Sequence, residues 1–136
     1  MCSSDLAIEN YEKAIEYDEE NSKYCYYRLG WLYNDLEEYD EAVDVLLKAL
    51  DYNADDANSH VELGYAYYMK KENNSAEYQL QKAIELDTAS KMGHYYLGLL
   101  YIDLDRKNEA REMYNKLKDI DEDQAEKLLK KIEGEK

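Results

Sequence analysis

Apart from its carboxylates, the sequence offers few side chains suited to metal ligation or nucleophilic catalysis: His60, His94, Cys2 and Cys25. The histidines stand 34 residues apart at equivalent places in a repeating pattern, so repetition accounts for them and they read as packing residues. The cysteines form no C-x-x-C pair and no disulfide framework. The acidic run Asp35, Glu37, Glu38, Asp40 and Glu41 straddles a turn and lacks the glycine and ligand order of a calcium loop. No phosphate-cradling glycine loop, H-E-x-x-H or G-x-S-x-G occurs. Neither an enzyme nor a metal or cofactor is expected. Asn73-Asn74-Ser75 fits a glycosylation acceptor but falls at an expected helix start, where capping is the expected role.

What the chain has in quantity is tyrosine: 16 of them, with no phenylalanine and no proline among 136 residues. A tyrosine can bury its ring and keep its hydroxyl wet, which suits a protein only two helix layers thick. The absence of proline argues for a nearly all-helical chain without linkers. The formal charge of −15 repels phosphate backbones and anionic lipid, so neither nucleic acid nor direct membrane binding is expected. Scarce cysteine makes a reducing, cytoplasmic setting the default expectation. The alternative is a lipid-anchored or periplasmic protein, because Met1-Cys2-Ser3-Ser4-Asp5 could mark the mature end of a bacterial lipoprotein.

The elements that must position these tyrosines are written in a 34-residue period. Leu-Gly recurs as Leu29-Gly30, Leu63-Gly64 and Leu97-Gly98, each followed by a tyrosine at Tyr33, Tyr67 and Tyr101. Nine residues on come Ala42, Ala76 and Ala110, then a large apolar residue at Leu46, Leu80 and Tyr114. Such spacing has the helical period, with glycine and alanine where two antiparallel helices approach most closely and larger residues beside them. Stacked hairpins bury the face that each alone would leave wet. Helices are expected near residues 5–18, 23–36, 40–53, 57–71, 74–87, 91–104, 108–119 and 122–133.

This register resembles the tetratricopeptide repeat family. The bulky residue before the Leu-Gly pair is Tyr26, His60 or His94, and the usual closing proline is replaced by Ala54, Thr88 and Glu122. The resemblance implies an all-α fold: a right-handed α-α superhelix, or solenoid, of antiparallel helix pairs forming one continuous domain. Residues 1–22 would supply the second helix of a partial repeat, 23–56, 57–90 and 91–122 three full repeats, and 123–136 a cap helix introduced by Asp121 and Gln124 in capping-box spacing. With its first helix missing, the opening segment would expose Leu6, Ile8 and Tyr11, which suggests a longer array or self-association through that helix.

In similar arrays the first helices line a concave groove that takes a segment of a protein or peptide partner. Positions two and five residues either side of each Leu-Gly leucine give Tyr24, Tyr27, Trp31 and Asn34, then Asn58, Val61, Tyr65 and Tyr68, then Met92, Tyr95, Leu99 and Ile102. This lining is aromatic and apolar, the composition of binding hot spots, with Trp31 and Tyr65 as expected anchors. The family's clamp for acidic chaperone tails, made of lysines, asparagines and an arginine, is not expected, because its positions hold Tyr27, Trp31, Glu62, Met92 and Tyr96, none of which supplies the charge and one of which would repel a carboxylate. The resemblance thus implies an interaction scaffold for an apolar or aromatic segment with basic flanks; a structural spacer in a longer repeat protein is the alternative.

Overall fold

The computed structural model describes residues 3–134, so the reading built on Met1 and Cys2 lies outside the described residues. Among the described residues there are eight helices: α1 (Ser3–Tyr17), α2 (Cys25–Asp35), α3 (Tyr39–Tyr52), α4 (Ala57–Met69), α5 (Asn73–Leu86), α6 (Lys91–Asp103), α7 (Lys107–Lys118) and α8 (Glu122–Ile132). Each packs on the next, and α2, α4, α6 and α8 also touch in succession, which makes the chain an all-α repeat superhelix.

Leucines 17 residues apart set the framework. Leu29, Leu46, Leu63, Leu80 and Leu97, one from each of α2 to α6, are all at most 2% exposed. Burying one such side chain stabilises the fold by about 1.5–3 kcal/mol, so the core is spread along the stack and not concentrated at one point. The glycines explain the tight approach. A Cβ on Gly30 would collide with Leu46, and one on Gly64 would lie 2.6 Å from Leu80 Cγ.

The third hairpin departs from the expected register. Gly98 is met by Leu128 of α8, 2.7 Å from an added Cβ, and not by Tyr114. Tyr114 is only partly buried and carries Lys118 over its ring, while Met113 and Leu117 fill the interior. Helix α8, with Ala125, Leu128 and Ile132 buried, replaces the missing contact.

Every turn within a hairpin is closed the same way. Glu37, Lys71 and Asp105 take φ of 61°, 66° and 58°, again at 34-residue intervals. In each, the next amide bonds back across the helix end, as Glu38 N to the Tyr33 carbonyl, Glu72 N to Tyr67 and Arg106 N to Tyr101. These turns run straight into α3, α5 and α7, whose starts at Glu38, Glu72 and Arg106 have no side-chain cap. Asn73-Asn74-Ser75 therefore opens α5 without capping it, contrary to expectation. Between hairpins the caps are side chains: Asp56 accepts from Asn58 N, Ser90 from Gly93 N and Asp121 from Gln124 N.

At the N-terminal end the expected open face is largely closed. Ile8 is buried at 8% exposure against Leu29 and Leu32, and Tyr11 packs beside it. The stripe Ala7, Ile8, Tyr11 and Ile15 turns inward onto α2, and of the three residues expected to need cover only Leu6 is exposed, at 53%.

Candidate functional site

The helices α2, α4 and α6 touch in succession and bring aromatic side chains together. Trp31 on α2, Tyr65 on α4 and Tyr96 on α6, with Tyr39 at the start of α3, wall a pocket of about 210 Å³ that also holds Asn34, Asp35, Glu37 and Glu62. Tyr65 sits in the middle of a chain of rings: edge-on to Tyr39 at 6.1 Å, tilted against Tyr96 at 4.8 Å, with Tyr95 6.0 Å beyond Tyr96. Helical repetition puts the three first-helix rings on neighbouring elements of one face, and the Schellman-type turn at Glu37 delivers Tyr39 to their edge.

Beneath the rings lies a polar tie. Asn34, 4% exposed, donates through Nδ2 to both the backbone carbonyl and Oε2 of Glu62 at 3.0 Å, joining α2 to α4. Its Oδ1 has no hydrogen-bond partner. Burial raises the Glu62 carboxyl above its ordinary range, the Asn34 bond only partly opposing the shift. Burial also pushes the Tyr65 hydroxyl up to about 12, with Tyr39 adding to it, and raises Tyr96, helped by Glu62. None of these phenols is a candidate base near neutral pH.

The lining expected from sequence divides among several places. Trp31, Asn34 and Tyr65 share the pocket just described. Tyr27, Asn58, Val61 and Met92 share a neighbouring one of about 290 Å³, and Glu62 borders both. Tyr24 and Tyr27 line a third, of about 380 Å³, with Lys23, Arg28 and Tyr52. Tyr68, Leu99 and Ile102 line a fourth at the other end, where the Tyr68 hydroxyl donates to Asp103 Oδ2 at 2.7 Å. Tyr95 lines none of these and packs on Tyr96. Asn34 and Val61 are floor residues, 4% and 5% exposed, whereas Trp31 is 49% and Tyr24 68% exposed. The stripe rule omits Tyr39, Glu62 and Tyr96. The last two could have been found from the clamp positions, since Tyr27, Trp31, Glu62, Met92 and Tyr96 all fall in the two central pockets.

The histidines do structural work. His60 Nε2 donates to the Ala54 carbonyl at 2.8 Å and its Nδ1 meets the Gln79 amide at 2.7 Å; His94, 1% exposed, donates through Nδ1 to the Ser90 carbonyl. Among the described residues no group of three or more His, Cys, Asp or Glu could hold a metal ion, and no helix is long and apolar enough to cross a membrane.

A stack of antiparallel hairpins sharing one first-helix face defines an α-helical repeat protein. Models described as TPR repeat and tetratricopeptide repeat match residues 30–71 and 93–124, and the chain belongs to the tetratricopeptide repeat family. It is similar to the crystal structure of MamA, at 28% identity and TM-score 0.80 over 95% of this chain and 86% of that one. MamA 41-end from Desulfovibrio magneticus RS-1 gives 24% identity and TM-score 0.80 over 89% and 68%. The first TPR of Spaghetti (RPAP3), bound to the HSP90 peptide SRMEEVD, gives 22% identity and TM-score 0.76 over 82% and 90%. The last two likenesses speak to the fold alone. No curated protein matches. Family membership makes the chain a protein–protein interaction scaffold.

Proposed function

We propose that this scaffold holds an extended or helical segment of a partner protein in the groove of α2, α4 and α6, and that it acts by binding, not catalysis. The observation that carries the reading is the aromatic wall of Trp31, Tyr39, Tyr65 and Tyr96, with Trp31 half exposed at its rim. Large rigid rings provide contact area at low rotamer cost, the property of binding hot spots. The partner segment is apolar or aromatic with basic flanks, complementary to a chain of net charge −15. An acidic segment such as the SRMEEVD peptide bound by the Spaghetti domain does not suit this pocket, because Glu62 would repel its carboxylates. The test is selection of displayed random peptides on the protein, followed by calorimetry of the winners against a Trp31→Ala/Tyr65→Ala variant. Loss of two hot-spot residues should weaken binding about 30-fold or more, with helicity retained by circular dichroism; undiminished affinity refutes the groove.

A second reading, self-association through α1, draws on Leu6 and Tyr17, 53% and 93% exposed and eleven residues apart on one helical face. Sedimentation velocity over a concentration series should then show a dimer that Leu6→Lys disperses. A concentration-independent monomer rejects it.

A further inference from the structure

Glu62 presents its carboxylate at a wall of Trp31, Tyr65 and Tyr96, yet receives a single side-chain donor, the neutral amide of Asn34. Among the described residues none of the ion pairs includes it. A carboxylate drawn out of water needs a counter-charge or several donors to offset its lost hydration, and the chain supplies neither. Asp35 and Glu37 border the same pocket and deepen its negative potential. Aromatic faces attract cations, so the walls and the floor ask for the same ligand. Asn34 beside them leaves its buried Oδ1 without a donor. The pocket, about 210 Å³, is smaller than the roughly 300–1,000 Å³ typical of drug-sized ligands. It has room for one side chain and not for a folded element.

We propose that this pocket is a specificity subsite for one arginine side chain of the bound partner segment, its guanidinium paired with Glu62 against the aromatic wall. Arginine fits better than lysine because its planar, weakly hydrated head stacks on rings and bonds a carboxylate with two parallel donors. The inference rests on the groove reading above and adds to it a required residue type at one place in the segment.

Trp31 is the sole tryptophan, so its fluorescence reports occupancy directly. The protein is titrated with N-acetyl-arginine amide and with N-acetyl-citrulline amide, which keeps the shape and loses the charge, with amide shifts followed by NMR. Expected are saturable millimolar binding of the arginine probe, shifts centred on Asn34, Glu62 and Tyr65, at least tenfold weaker binding of citrulline, and a similar loss in Glu62→Gln. Gln keeps an acceptor for Asn34, so this variant retains the α2–α4 tie. Equal responses to the two probes, or to the two proteins, overturn the proposal. Displayed peptides separate it from the groove reading. Selected groove binders that lack arginine sink the subsite and leave the groove standing; failure to select any peptide sinks the groove, and with it the assignment of the subsite to a partner segment.

Discussion

Replacing Lys71 by glycine should stabilise the protein, although it deletes a side chain and adds no contact. Lys71 closes the turn between α4 and α5 at φ 66°, with its amide bonded to the Tyr68 carbonyl at 3.1 Å and the Glu72 amide to Tyr67 at 2.9 Å. The turn therefore requires the left-handed conformation, which costs a residue with a Cβ about 1–2 kcal/mol. Glycine avoids that cost and loses about 0.5–1 kcal/mol through its freer unfolded chain. The balance is a gain of about 0.5–1 kcal/mol. For a chain of 136 residues, at about 2.1 cal/mol/K per residue of unfolding entropy, that raises Tm by roughly 2–4 °C. The side chain is exposed, so Lys71→Ala makes the reference: it removes the same charge and keeps the strain. Thermal unfolding by far-UV circular dichroism should rank Gly above Ala and Ala above Val, whose branched Cβ tolerates positive φ least. If glycine proves no more stable than alanine, the turn is not paying a conformational cost and the reasoning fails. Glu37→Gly should behave alike, and Asp105→Gly should gain less, since aspartate adopts this conformation more readily.

Gly64→Ala should cost about 1–3 kcal/mol by chemical denaturation, because its Cβ would lie 2.6 Å from Leu80 Cγ in a packed interior; combined with Leu80→Ala the loss should be smaller than the sum of the two single losses. Trp31→Ala should change stability by about 1 kcal/mol or less, since half its surface already faces water, while weakening selected-peptide binding about fivefold or more. The raised carboxyl of Glu62 means that the folded state holds its proton to higher pH than the unfolded chain. This contribution to stability is fully present below the unfolded value and is lost as pH rises through the folded one. Glu62→Gln should therefore unfold at higher denaturant than the parent at neutral pH, the difference shrinking as pH falls through the carboxylate range. An equal or growing difference at low pH contradicts the assignment.

The stack of hairpins is legible because its close contacts are made by residue types: a glycine in one helix faces a leucine in the next, and both recur every 34 residues. The register slips at Tyr114 because Leu128 of α8, and not a residue of α7, lies against Gly98, and no local pattern announces which leucine will fill that space. The turns at Glu37, Lys71 and Asp105 repeat faithfully in the backbone but are invisible in the sequence, since none is a glycine or asparagine. Counting along a helix brings most of the expected lining residues to pockets but does not give their depth. Asn34 and Val61 sink into the floor while Glu62 and Tyr96, one position along from Val61 and Tyr95, border the pockets. How deep each of these residues sits depends on how neighbouring helices pack against one another, a property of the stacked chain and not of either helix. Ile8 and Tyr11 are covered for a related reason: an amphipathic helix has one apolar stripe, and α1 turns it toward the neighbour it has.

Leu128 fills beside Gly98 the notch that Leu46 and Leu80 fill beside Gly30 and Gly64, but it comes from a helix outside the hairpin. The third hairpin is therefore keyed from outside, its close approach at Gly98 held by the docking of α8 and not by its own second helix.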